Sequence, residues 1–165
     1  MKVILYMAIT ANGYIAKEDN KTPWSDEEWQ SFSEKVKEIK NLVIGRKTFE
    51  IMQKEKEFQK IGDPFTVIVS NQKEDNSNFV NSPKQAIKLL EEKGFLKILV
   101  AGGGILNSSF MQKGLIDEIY LDIEPFLFGK GINLFAENDF ETKLELLETK
   151  QLSKNVIQLH YRILK

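Results

Sequence analysis

The chain has 165 residues, 23 Lys and Arg against 24 Asp and Glu, a net charge of −1 and an apolar fraction of 42%. That is enough to fill one core, and the expectation is a single domain over 1–165. Balanced charge leaves no general field for nucleic acid or an acidic membrane surface, so any anion site has to be local. With no cysteine and one histidine, His160, the sequence excludes disulfides and thiolate chemistry and leaves no His-rich metal site and no Ser-His-Asp triad. No apolar run reaches a membrane span and the N-terminus lacks a signal-peptide layout, so a cytoplasmic protein is expected.

The segment from Lys2 to Ile9 is an almost unbroken apolar run, the pattern of a strand buried on both faces. Asn12-Gly13 is a turn signal, and a polar stretch from Lys17 to Thr22 leads into Pro23-Trp24. A connection this long is often a binding loop. Ser25 reads as an N-cap, with Glu28 completing a capping box and Asp26, Glu27 and Glu28 placing negative charge at the positive end of the helix. Trp29, Phe32, Val36 and Ile39 make the stripe expected to be buried, while Glu27 and Glu28 read as solvated.

Asn41 to Ile44 is a second strand, ending at Gly45-Arg46-Lys47-Thr48, with a helix beginning at Thr48. Phe65 to Val69 is a third strand, ending at Ser70-Asn71. Ser82-Pro83 starts a helix that stops at Gly94. Ile98 to Asp122 then reads as strand, three consecutive glycines, helix and strand, a βαβ unit. Pro125 to Gly131 is a glycine-hinged loop, and Lys143–Leu152 with Val156–Leu164 form a terminal antiparallel pair. The alternation predicts an α/β fold, a mostly parallel sheet covered on both faces with an antiparallel C-terminal edge.

In such sheets ligands bind beyond the C-terminal strand ends. Four segments fall there: Ala8-Ile9, Gly45 to Thr48, Ser70-Asn71 and Gly102 to Gly104. Glycines at a helix start let an anion lie against backbone N–H groups, and Arg46 and Lys47 add charge. Each segment alone would also serve as a ligand-free turn. Together they describe a molecule with separated phosphates laid across several strands, which a dinucleotide fits. The P-loop spacing is absent.

Ala8-Ile9, the Asn12 to Ala16 segment, Pro23-Trp24, Gly45 to Glu50, Ser70 and Ala101 to Gly104 resemble the dihydrofolate reductase superfamily over essentially the whole chain. Gly114 to Leu121, with Pro125 and Gly129-Lys130-Gly131, is closest to its riboflavin-biosynthesis branch, the C-terminal reductase domain of the deaminase-reductase. The resemblance implies a three-layer α/β/α fold, NADPH as cofactor, and a homodimer. It implies that Ala8 and Ile15 flank the nicotinamide, that Gly45, Arg46, Lys47 and Thr48 hold the phosphate bridge and 2′-phosphate side, and that Ser70 and Asn71 serve the adenosine end. Gly102, Gly103 and Gly104 would cradle the pyrophosphate, with Ile105 and Leu106 on the helix beyond.

Substrate contacts depart from those relatives. An ungapped count puts Trp29 where dihydrofolate reductases carry a carboxylate, and Ala101 where the riboflavin branch carries a glutamate. Asp26, one turn before Trp29, is then the candidate catalytic carboxylate, with Asp122 and Glu124 behind it. Trp24, Trp29 and Tyr14 are expected to shape a cleft for a flat heterocycle. The expected function is an NADPH-dependent reductase acting on a small heterocycle or phosphoribosyl-pyrimidine. A dihydrofolate reductase proper and a non-catalytic nucleotide-binding module are the rivals.

Overall fold

The computed structural model describes residues 1–72, 74 and 78–165. Among the described residues ten strands and five helices follow one another as β1 (Lys2–Thr10), β2 (Tyr14–Ala16), α1 (Asp26–Ile39), β3 (Asn41–Gly45), α2 (Arg46–Lys54), α3 (Glu57–Lys60), β4 (Phe65–Val69), β5 (Phe79–Val80), α4 (Pro83–Glu92), β6 (Lys97–Val100), α5 (Gly104–Gln112), β7 (Glu118–Glu124), β8 (Ile132–Asn133), β9 (Lys143–Gln151) and β10 (Ile157–Leu164). Eight strands form one sheet in the order β5-β4-β3-β6-β1-β7-β10-β9. All neighbours from β5 to β7 are parallel, and β10 runs antiparallel to β7 and β9. The architecture is the α/β fold with an antiparallel C-terminal edge that the strand-helix alternation predicted.

β1 sits in the interior of the sheet, and its alternation explains both cores. Val3 and Leu5 face the layer of α4 and α5, with Ala86, Leu90, Leu106 and Phe110. Ile4 and Tyr6 face α1, α2 and α3, with Phe32, Val36, Met52 and Ile61. Side chains of successive strand residues point to opposite faces, so a strand covered on both sides must be apolar throughout. Tyr6 is the exception by chemistry, and its hydroxyl is accordingly hydrogen-bonded.

Asn41 carries a separate structural duty. It is fully buried on β3, donating through Nδ2 to Lys97 O at 2.8 Å and accepting from Leu99 N at 3.2 Å. Direct pairing between β3 and β6 is confined to Val43 with Val100, so this amide stitches the strands together where the backbone ladder does not. Asn41→Leu should therefore cost ~2 kcal/mol, because it leaves a buried N–H and C=O without partners. A urea midpoint shifted downward with unchanged slope checks it.

Helix starts differ from one another in a way that matters for the site. α1 is capped by Ser25, whose Oγ accepts from Glu28 N at 3.2 Å. α4 is capped by Ser82 with Pro83 in its first turn. α2 begins at Arg46, two residues earlier than the sequence indicated, so its N-cap is Gly45. α5 has Gly103 in that role. Neither glycine can supply a capping side chain, so first-turn N–H groups of α2 and α5 lack one potential acceptor from their own chain. Among the described residues no helix is long and apolar enough to cross a membrane.

Candidate functional site

A cleft of about 1110 Å³ opens along the C-terminal ends of β1, β3, β4 and β6 and continues onto both helical layers. Parallel strands end on one edge of the sheet, which brings the two helix starts with glycine N-caps to the same opening. The wall on this side comes from Gly45 to Thr48, Ser70, Asn71 and the segment Ala101 to Leu106. Ala8 and Ile15 line the floor and are each 7% exposed.

The three glycines of the β6–α5 turn have separate reasons. A Cβ on Gly102 would lie 2.6 Å from Leu106 Cδ2 and 2.9 Å from Gly45 N, and one on Gly104 would lie 2.6 Å from Asn133 O. Those two are required by packing between chain segments. Gly103 and Gly45 meet nothing within 4 Å, so their missing side chains leave open space over backbone donors. α5 is held by the segment before β9, through Asn107 Nδ2 to Leu134 O at 2.8 Å and Ser108 Oγ to Ala136 O at 2.6 Å. Ile105 is exposed and Leu106 buried, and both line the cleft.

Arg46 is positioned by two carboxylates, its Nε bonding Glu50 at 2.9 Å and its Nη2 meeting Glu74 at 2.7 Å. Its third nitrogen, Nη1, is buried and has no hydrogen-bond partner among the described residues. A buried guanidinium N–H without an acceptor is costly. Lys47 is exposed and Thr48 half-buried beside it. Ser70 Oγ accepts from Gln72 N at 3.1 Å.

The other limb of the cleft is lined by Trp24, Asp26, Glu28, Trp29 and Phe32, by Ile51 and Met52 of α2, and by Glu57 and Lys60 of α3. Trp24 is held in an aromatic cluster, stacked on Phe128 at 6.2 Å and tilted against Phe126 at 6.4 Å. Trp29 packs on Phe32 with ring centroids 5.8 Å apart.

Here the structure corrects the sequence reading at several residues. Glu28 is not a solvated first-turn charge. It is 5% exposed, faces the cleft, and its carboxyl has no hydrogen bond to any described residue. Burial, followed by the proximity of Asp122 and Glu124, pushes its pKa up to about 8. Nor does Glu28 close a capping box. The role of holding Ser25 passes to Glu124, whose Oε1 accepts from Ser25 N at 2.9 Å and Ser25 Oγ at 2.6 Å.

Asp26 lines the mouth and is exposed. Asp122 does not line the cleft. It lies behind the wall, fully buried, accepting from Tyr6 Oη at 2.5 Å and Gln158 Nε2 at 2.7 Å. Burial raises its pKa to about 6 against the opposing effect of those two bonds. The Tyr6 hydroxyl is pushed up by burial and by Asp122. Tyr14 also lies outside the cleft, tilted against Phe128 at 6.3 Å and close to Gly131. His160 lies in the middle of β10, outside the cleft lining, paired with Glu118 at 3.0 Å and stacked on Tyr120 at 3.9 Å.

A long cleft over parallel strand ends, with glycine-opened helix starts on one limb and an aromatic and carboxyl limb on the other, defines a dihydrofolate-reductase-like α/β protein. The chain belongs to the RibD C-terminal domain family, whose profile matches residues 1–158. It is 35% identical over 170 residues to the uncharacterized protein YwjB of Bacillus subtilis strain 168, covering 97% of both chains. A protein from Shewanella sp. PV-4 has the same fold, with a TM-score of 0.79 at 22% identity over all of both chains. A pyrimidine reductase-like protein of Corynebacterium diphtheriae gives 0.78 at 14% identity, covering 99% of this chain and 92% of its own.

Proposed function

We propose that the protein is an NADPH-dependent reductase that reduces a C=N or C=O of a planar heterocycle, with Glu28 as the group that holds the proton. The observation that carries this reading is the pairing of two side-chain-free helix starts, at Gly45 and Gly103, with Arg46 Nη1, which has no partner among the described residues, on the same cleft. All three are donors in want of an anion, and they lie at two different strand ends. A dinucleotide carries anions at that kind of separation.

NADPH, when bound, supplies a hydride from its nicotinamide. Gly103 and the first turn of α5 would take the pyrophosphate, and Gly45, Arg46, Lys47 and Thr48 the remaining phosphate contacts. Ser70 and Asn71 would serve the adenosine end, with Ala8 and Ile15 against the nicotinamide. Protein residues supply the rest. Trp29 and Phe32 offer flat apolar surface for a ring. Glu28, kept protonated at neutral pH by burial and two neighbouring carboxyls, presents a proton to the cleft at a site where reduction requires one. Trp24 and its phenylalanine cluster help keep that limb dry.

Arg46→Ala is the direct test of the cofactor assignment. The intact protein should be protected thermally by NADPH well beyond its protection by NADH, and the variant should lose about tenfold or more in NADPH affinity, as for a charge-assisted phosphate contact. Its NADH affinity should change far less. Equal, weak protection by both cofactors in the unaltered protein would contradict the assignment.

A further inference from the structure

Charge is distributed unevenly along the cleft. Arg46 and Lys47 open α2 and Lys113 follows the last residue of α5, on the limb with the glycine-opened helix starts; among the described residues no carboxylate lines that limb, and the two paired with Arg46, Glu50 and Glu74, are not part of its lining. Among the described residues, every carboxyl group lining the cleft, those of Asp26, Glu28 and Glu57, lies on the α1–α3 limb, where Lys60 is the one lining cation. Lys60 is exposed, and its ammonium is 3.4 Å from Glu55 O. The walls between these groups are Trp29, Phe32, Ile51 and Met52. Set into them is Glu28, more than nine-tenths buried, facing the cleft and lacking a hydrogen-bond partner among the described residues.

We infer that this second limb takes a neutral or cationic nitrogen heterocycle without a phosphate group, so that the two limbs sort their occupants by charge. The inference rests on the reductase reading above and narrows its substrate class. A phosphate monoester is close to a dianion at neutral pH. Placed on the α1–α3 limb it would approach Asp26 and Glu57 with Lys60 alone to offset them, and like charges across a partly desolvated surface select against a partner. A ring nitrogen or amino group has the opposite fit. It can donate to Glu28, whose oxygens have no donor among the described residues, and its flat faces match Trp29 and Phe32. Burial also raises the Glu57 carboxyl, which a cationic or hydrogen-bonding group nearby would relieve and a phosphate would aggravate.

The test uses a matched pair of compounds, an aminopyrimidine carrying a sugar side chain and the same compound phosphorylated on the sugar. Both are titrated calorimetrically into the full chain, with and without saturating NADPH, so the ratio is read whether or not the cofactor binds. The unphosphorylated compound should bind about tenfold tighter or more, the scale of one uncompensated like-charge contact. Glu57→Gln should narrow that ratio, and Glu57→Lys should narrow it further, through tighter binding of the phosphorylated member. Tighter or equal binding of the phosphorylated compound to the unaltered protein overturns the inference, as does failure of both compounds to bind. With NADPH bound, either result leaves the cofactor assignment standing. Absence of NADPH binding in the same titrations counts against the reductase reading instead.

Discussion

Replacing Glu28 by Gln is expected to stabilise the protein at neutral pH while removing most of its turnover. A carboxyl with an ordinary value of 4.5 that is raised to about 8 on folding holds its proton more tightly in the folded state. Its burial is therefore harmless below pH 4.5, and stability is lost progressively as pH rises from 4.5 to about 8. Gln carries no such dependence. The stability gap between variant and parent should be small at pH 4, widen through neutrality, and level off above pH 8.

At pH 7 the linkage sets an upper bound of ~3 kcal/mol, and water entering the cleft reduces it. A melting temperature higher by several degrees, at roughly 2–4 °C per kcal/mol for a chain of this size, is the readout. Turnover should fall about 100-fold or more, since a positioned proton donor contributes on that scale. A carboxyl kept at the expense of stability and needed for turnover is the signature of a functional group. A variant that is no more stable at pH 8 than at pH 4, relative to the parent, would remove Glu28 from this role.

The adjacent glycines of the β6–α5 turn should separate just as sharply. Gly103→Ala adds a methyl group into open space, and its φ of −52° is ordinary for any residue. Its melting temperature should stay within about 2 °C of the parent, whereas NADPH affinity should fall about tenfold, because the methyl occupies the space an anion needs over the α5 N–H groups. Gly102→Ala forces a contact of 2.9 Å with the backbone nitrogen of Gly45. Overpacking against main chain costs ~1–3 kcal/mol and should show in a urea titration without any cofactor. Loss of stability at Gly103, or retained NADPH affinity there, would contradict the assignment of that turn.

The fold was legible in the sequence because its signals are local. The unbroken apolar run of β1, the Ser25 and Ser82 caps and the glycine turn before α5 each act over a few residues, and the structure shows all of them. The segments placed at strand ends also lie together on one cleft, since parallel strands leave no other place for them. What failed was the attribution of carboxyl groups. Glu28 lies four residues before Phe32 and eight before Val36, on the buried face of α1, so helical spacing did carry the signal. Its charge and the capping-box pattern spoke for solvent instead. That pattern was misleading because its partner came from Glu124, 99 residues beyond Ser25.

Asp122 shows the complementary limit. Its position near the end of β7 pointed to the cleft, but strand alternation sends it to the α1 layer, where Tyr6 and Gln158 claim both oxygens. Neither partner is near it in sequence. Tyr14 likewise turns onto Phe128, because the antiparallel pairing of β2 with β8 brings the loop before β8 against it. Such pairings depend on long-range contacts that no local window contains.

The central claim is that this cleft reduces a heterocycle with a proton from Glu28. It is tested most directly by following loss of nicotinamide absorbance from NADPH across a set of aminopyrimidine and pteridine rings between pH 6 and 9. The expected result is turnover with at least one ring, falling as pH rises through about 8 as Glu28 loses its proton. A protein that binds NADPH tightly yet oxidises it with none of these rings, or whose turnover climbs through that range, would contradict it.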